Sequence, residues 1–151
     1  LNSLIGMAPQ FFIYILSFLL LATFWRINHS QFNYIKKTDQ NLLWINIFWL
    51  LFVALFPFST NLVGNYSLTV TMIFFHTNLL IIGIFYNLNW SYAAKHNFID
   101  ENVDEEFIES RKRMNLLLPI CALIAIGVSF IAPDYSPFVY LITFFVRRIH
   151  F

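Results

Sequence analysis

Long apolar runs alternate with short polar segments along the chain, and five apolar runs stand out. They lack the period-two alternation typical of the strands of a membrane barrel. A membrane-spanning helix needs about 20 apolar residues; the first four runs approach that length, whereas the fifth is short. We therefore predict an all-α fold, a polytopic membrane helix bundle with about five transmembrane helices in one domain, 1–151. The predicted spans are 8–25, 42–58, 67–88, 115–133 and 136–148.

The basic residues occupy alternate gaps between these runs. All nine Lys and Arg follow the first and third runs or end the last one, and the segments 1–9, 59–65 and 132–137 carry none. An excess of Lys and Arg is typical of cytoplasmic loops. The pattern predicts that the basic loops and the C-terminus are cytoplasmic and that the N-terminus is outside. These basic residues are Arg26, Lys36, Lys37, Lys95, Arg111, Lys112, Arg113, Arg147 and Arg148.

Composition supports the membrane class. The chain is 59% hydrophobic and 11% charged, against about 25% charged residues in soluble domains. The lipid bilayer is therefore the predicted partner. Nucleic acid is not, because its binding needs a basic stripe on one folded face. The single cysteine, Cys121, has no partner for an internal disulfide, and we expect it to pack as a small hydrophobe in a stripe with Ala125 and Ser129.

The polar segment 91–114 is predicted to be cytoplasmic. Its acids precede its bases, which favours a short helix beginning near Asp104, with a Glu109–Arg113 pair on its surface. Pro57 is predicted to end the second helix. The links 61–65 and 133–137, rich in Asn, Gly, Pro and Asp, are predicted to be tight turns.

The third run carries the most unusual polar set, because Thr69, His76, Gly83 and Asn87 share one helical face. Polar groups within a span usually face protein or water. His76 is interpreted either as a hydrogen-bonded packing residue or as a titrating, pathway-lining group. Haem ligation needs a second histidine at matched depth, and none is present. We expect no metal and no cofactor.

In the second run, Asn46 is interpreted either as an interhelix hydrogen-bonding residue or as a contact with a pore or substrate path. The chain has no GxSxG, no HExxH and no phosphate-binding glycine loop. No carboxylate lies inside any predicted span, which also disfavours a proton pump. We therefore predict that the protein is not an enzyme.

The region 25–60 resembles the transmembrane protein 175 family of potassium-permeable channels. The similar residues are Trp25-Arg26-Ile27-Asn28-His29, Tyr34-Ile35-Lys36-Lys37, Asp39, Leu42-Leu43-Trp44-Ile45-Asn46 and the stretch from Leu50 to Thr60. The resemblance implies a cation channel with potassium as the permeant ion, assembled as a homotetramer of six-helix subunits. Each subunit's first helix would line the pore, with a hydrophobic constriction and an Arg-x-x-x-Phe-Ser-Asp motif.

That motif is not found in these residues, so the pore-lining residues are unknown and we expect a further helix ahead of Leu1. By the resemblance, His29 and Asn46 are candidates to support the first helix. His76 and Asn87 complete the candidate set as interhelix polar contacts. The expected location is a bacterial or archaeal cell membrane, or an endolysosomal membrane in a eukaryote.

Two other functions stay open at this stage. A small non-conducting membrane interaction or assembly protein is the main alternative, because the chain offers helix-packing faces but no demonstrable pore. An intramembrane enzyme or carrier that uses His76 is the weakest.

Overall fold

The structure, a computed structural model, describes residues 8–66 and 68–142. Its regular elements within those ranges are helices, and the one β-bridge joins Ile35 to Ile99 outside any strand. The predicted all-α class is therefore confirmed. The elements are α1 (Ala8–Phe32), α2 (Gln40–Asn65), α3 (Thr69–Lys95), α4 (Glu105–Asn115), α5 (Leu117–Ser129) and a 3₁₀ helix (Pro133–Tyr140).

Among the described residues, three helical stretches are long and apolar enough to cross a membrane. They are Gln40–Asn65, Thr69–Lys95 and the nearly continuous Glu105–Ser129. The first predicted span lies within α1. The fifth begins inside the 3₁₀ helix, and its residues 143–148 lie outside the described residues, as does Ser67 at the start of the third. The five-span count therefore stays a prediction.

Helix α2 does not end at Pro57, so the predicted end of that helix and the predicted turn at 61–65 are both wrong. The helix continues through Pro57 to Asn65. Proline removes one backbone donor, but unwinding a helix in hydrocarbon would expose several unpaired backbone groups. Continuing the helix therefore costs less than stopping it. The predicted turn at 133–137 is likewise part of the 3₁₀ helix.

The polar segment folds as predicted around Asp104, which immediately precedes α4. Glutamates occupy the first turn of α4, and Lys112 and Arg113 occupy its last turn, so the charges complement the helix dipole. Glu109, however, pairs with Lys112 at 3.6 Å rather than with Arg113. Both spacings bring side chains together on a helix, and such exposed pairs contribute little.

Proline also accounts for the break between α4 and α5 at Leu116. Pro119 lies in the first turn of α5, where its missing N–H leaves no helical hydrogen bond unmade. The stripe of Cys121, Ala125 and Ser129 is buried, which confirms the predicted packing face.

Two hydrophobic clusters form the core. The central cluster joins α2, α3 and α5 and consists of Trp49, Val53, Phe56, Leu79, Ile82, Tyr86 and Ala122. The second lies where α1 ends and α2 begins, near the basic loops, and we call this side the basic end. Its buried members are Ile35, Leu42, Trp90, Ala93 and Ile99.

Large apolar side chains cover the outside of the helices. Phe18 on α1, Val70 on α3 and Ile131 after α5 are 61%, 74% and 89% exposed. So much exposed apolar surface is unfavourable in water and matches a lipid-facing exterior. The protein is an integral membrane helix bundle.

Candidate functional site

His76 connects α3 to the 3₁₀ helix. Its side chain is fully buried. Its Nε2 lies 2.8 Å from the Ser136 hydroxyl oxygen, and its Nδ1 lies 2.9 Å from the Tyr140 hydroxyl oxygen. Both ring nitrogens are thus engaged by residues about 60 positions further along the chain.

The hydrogen bonds determine which ring nitrogen carries the proton. The Ser136 hydroxyl donates its only hydrogen to the Pro133 carbonyl, 2.6 Å away. It therefore accepts from Nε2–H of His76, which places a proton on that ring nitrogen. Among the described residues, no group of three or more His, Cys, Asp or Glu side chains could hold a metal ion.

The face shared by Thr69, His76, Gly83 and Asn87 is only partly a packing face. His76 and Gly83 are buried, whereas Thr69 and Asn87 are half-buried. Gly83 packs directly against α5, because a Cβ placed on it would lie 2.7 Å from Cδ of Pro119. The side-chain oxygen of Asn87 is buried without a protein partner among the described residues.

Asn46 lines a cavity of about 440 Å³ at the basic end. Its side-chain oxygen is buried and has no protein partner in the described part of the chain. The hydrogen bond to a neighbouring helix that one interpretation expected is not made through this atom. The cavity is lined by Phe32, Thr38, Asp39, Gln40, Leu42, Leu43 and Asn46.

His29 is exposed and stands apart from the other candidates. Its ring stacks on Trp25, one turn earlier in α1, with centroids 5.3 Å apart and an angle of 9° between the planes. The structure therefore presents both rings on the outer surface of α1.

Asp39 joins α2 to α3 at the basic end. One carboxylate oxygen accepts from the backbone N–H of Leu42 at 2.8 Å, and the other accepts from the Tyr92 hydroxyl at 2.7 Å. The N–H of Leu42 is the main reason that the pKa of Asp39 lies below its usual value of 3.8. Asp39 therefore caps α2 as an ionised group.

The α4 helix is held to this end by aromatic residues. The indole N–H of Trp90 donates to the carbonyl of Ile108 at 3.0 Å. The guanidinium of Arg111 lies 5.4 Å from the ring centre of Tyr34 and 5.3 Å from that of Phe107. These contacts make the basic end a packed layer rather than a loose connector.

Several buried amides were missed by sequence reasoning. Gln31 and Asn115 are hydrogen-bonded to each other at 3.3 Å, and Asn78 donates to Ser59 at 3.3 Å. Asn89 is fully buried. An amide inside an apolar run was the available signal for Asn78, but Gln31, Asn89 and Asn115 lie at or beyond the ends of such runs and gave none.

The known proteins to which this chain is similar are described as potassium channels. The family described as "Endosomal/lysosomal potassium channel TMEM175" matches residues 1–57. A potassium channel of Chryseobacterium sp. (strain P1-3) is 34% identical over 63 residues, which cover 42% of this chain and 33% of that protein. A potassium channel of Chamaesiphon minutus is 25% identical over 136 residues, 87% of this chain and 67% of that protein.

A potassium channel of Streptomyces collinus is 31% identical over 58 residues, 38% of this chain and 28% of that protein. The matched part thus spans about a third of two of these relatives and two thirds of the other. No solved structure matches the chain.

Proposed function

We propose that this chain is a member of the TMEM175 family and is part of a potassium-permeable channel that conducts ions passively through an oligomeric pore. The observation that carries the proposal is the family match over residues 1–57, a stretch that includes α1 and the first two thirds of α2. The relatives named as potassium channels support the same ion. An enzymatic role has no comparable support.

The described helices suit a supporting scaffold. Their interior is filled by the central cluster, and the candidate spans Gln40–Asn65 and Thr69–Lys95 contain no carboxylate. Conduction would then depend on partial dehydration at an apolar constriction and on the dimensions of the pore. The pore-lining residues stay unassigned.

Within this proposal the four candidate residues have different roles. His76 positions the 3₁₀ helix, because both its nitrogens are already engaged. Asn87 keeps a side-chain oxygen without a protein partner among the described residues, so it can accept a hydrogen bond from a further helix, whereas Asn46 lines the cavity at the basic end. His29 is exposed on α1 and is available to another helix or subunit.

The assembly and the location are also part of the proposal. A homotetramer in a bacterial or archaeal cell membrane, or in an endolysosomal membrane of a eukaryote, is expected, with the basic end in the cytoplasm. The potassium ion is the permeant and not a bound cofactor.

A flux assay tests the proposal. The full-length gene product, reconstituted in liposomes loaded with potassium, should release potassium down its gradient, and protein-free liposomes should not. Cross-linking in the same liposomes should give tetramers. A folded protein that passes no potassium at any potential or pH contradicts the channel, and recovery of monomers alone would favour the non-conducting assembly protein.

A further inference from the structure

Five amide side chains form a polar layer between the two hydrophobic clusters, and we call it the amide layer. On α1, Asn28 and Gln31 lie between Ile27, which packs on the central cluster, and Phe32, which packs on the cluster at the basic end. The other three amides likewise lie, along the chain, between residues of the central cluster and residues of the cluster at the basic end. The amide layer consists of Asn28, Gln31, Asn46, Asn89 and Asn115.

The pairing of α2 with α3 brings two of these amides to one level. The Trp49 and Tyr86 rings lie 6.3 Å apart, and Asn41 and Tyr92 are hydrogen-bonded nearer the basic end. Because the helices are antiparallel, Asn46 and Asn89 lie level with each other, one turn from the Trp49–Tyr86 pair.

Helices α1 and α4 reach the same level. The side-chain nitrogen of Gln31 donates to the carbonyl of Tyr86 at 3.4 Å, and Asn115 donates to the side-chain oxygen of Gln31 at 3.3 Å. The amide layer therefore includes groups from four helices.

The hydrogen bonds of the layer are incomplete. Asn89 is fully buried, yet neither its side-chain nitrogen nor its oxygen has a protein partner among the described residues. The side-chain oxygens of Asn28 and Asn46 and the indole nitrogen of Trp49 are also buried without a protein partner among the described residues. Buried polar groups are nearly always hydrogen-bonded, because leaving them unpaired costs their full desolvation.

We propose that the amide layer binds ordered water molecules inside the helix bundle. The unpaired atoms include both donors, at Trp49 and Asn89, and acceptors, at Asn28, Asn46 and Asn89. Water supplies both functions at once, and internal waters typically make about three such hydrogen bonds.

The surroundings favour water over a larger or charged ligand. Asn89 is fully enclosed, so a bulky group cannot reach it without moving a helix. The unpaired atoms include N–H donors at Trp49 and Asn89, and a cation cannot accept hydrogen bonds from them. Asn46 also lines the cavity at the basic end, so that cavity reaches the edge of the amide layer.

Two buried tryptophans provide an internal comparison for the test. Trp49 and Trp90 are 1% and 0% exposed. The Trp90 indole N–H is bonded to the carbonyl of Ile108, whereas that of Trp49 has no protein partner in the described residues. The two residues have the same intrinsic reactivity, so a difference in their oxidation reports local water.

The experiment is X-ray radiolytic labelling of the full-length protein in liposomes, read out by mass spectrometry. Hydroxyl radicals formed from bound water oxidise the side chains next to it, including buried ones. We expect Trp49 to be oxidised several times faster than Trp90. Equally slow oxidation of both tryptophans would overturn the proposal. That result is also expected if a side chain from another segment, rather than water, pairs with the amides of the layer.

A variant tests whether the amides hold the water. The double substitution Asn46→Leu and Asn89→Leu should reduce oxidation of Trp49 to the level of Trp90, and an unchanged Trp49 rate would refute that the amides bind it. If the double variant does not fold, the ratio of Trp49 to Trp90 oxidation in the unaltered protein still shows whether the amide layer binds water. Ion flux is not part of this test, so its outcome is separate from that of the channel proposal.

Discussion

Single side chains decide how the 3₁₀ helix and α5 are held against α3. His76 supplies hydrogen bonds to the 3₁₀ helix, and Gly83 supplies space for α5. One contact is polar and the other steric, so they can be tested separately by substitutions that change one property at a time.

The substitution His76→Phe keeps an aromatic ring but removes both hydrogen bonds. We expect it to lower the free energy of unfolding by about 1–3 kcal/mol, because the hydroxyls of Ser136 and Tyr140 lose their ring-nitrogen partner. The measurement is denaturant-induced unfolding in detergent micelles. The control His29→Phe changes an exposed, stacked ring and should alter stability by less than about 0.5 kcal/mol; equal losses in the two variants would contradict the role given to His76.

Two glycine substitutions should have opposite effects. In Gly83→Ala the new Cβ meets the rigid ring of Pro119 at 2.7 Å, and overpacking of this kind costs about 1–3 kcal/mol. In Gly127→Ala the Cβ meets nothing within 4 Å, so the helix should gain about 0.5–1 kcal/mol. Thermal unfolding of both variants in one detergent checks the pair. Stabilisation by Gly83→Ala would show that α3 and α5 are not closely packed there.

At the scale of elements, capping and continuity explain where the helices begin and end. Asp39 precedes α2 and holds its first turn, and Pro57 fails to end the same helix. The cap at Asp39 follows from local hydrogen bonding. The continuation of α2 through Pro57 depends on the surroundings, because only an apolar environment makes an unwound backbone so costly.

Capping by Asp39 predicts a dependence of stability on pH. Its pKa is lowered in the folded protein, chiefly by the Leu42 N–H, so its contribution is present above the usual value of 3.8 and is lost as the pH falls through the lowered pKa. In the variant Asp39→Asn the new amide side chain can still cap the helix, but it does not titrate.

Unfolding curves measured from pH 7 downward should show this difference. The stability advantage of the unaltered protein over Asp39→Asn should be constant above the usual pKa and should shrink below it. A parallel fall of both curves at acid pH would mean that other carboxyl groups, such as Asp100 with its own lowered pKa, account for the acid sensitivity.

At the scale of the whole molecule, an apolar exterior surrounds a bundle with one basic end. The loop at Glu101 and Asn102 is exposed at that end, and Tyr135 is exposed at the opposite end. The charge asymmetry predicts that the basic end is cytoplasmic.

Cysteine labelling checks this orientation. In intact cells a membrane-impermeant maleimide should label Tyr135→Cys and should label Glu101→Cys only after the membrane is permeabilised. Cys121, the one native cysteine, is buried, so the unaltered protein should give a low background. Labelling of Glu101→Cys in intact cells would reverse the orientation.

The predictable features were those governed by local chemistry. The helix after Asp104 follows from the order of its charges, and the packing stripe at Cys121 follows from small residues at helical spacing. The end of α2 was mispredicted because proline and glycine end helices readily in water, where an unwound backbone can bond to solvent, but not in hydrocarbon. The partner of Glu109 was mispredicted because Lys112 and Arg113 are both within reach on an exposed surface.

Composition and the order of charges are enough to establish a membrane helix bundle, because a hydrocarbon solvent leaves a chain this apolar few alternatives. The family resemblance is also carried by the sequence alone, and its most specific part is residues 25–60. Only the tertiary structure decides which polar groups meet. The partners of His76 lie 60 and 64 positions away, and Gln31 and Asn115 are 84 positions apart. Such pairs depend on how the helices are aligned along one another, and that alignment is determined by packing across the whole bundle rather than by any one run.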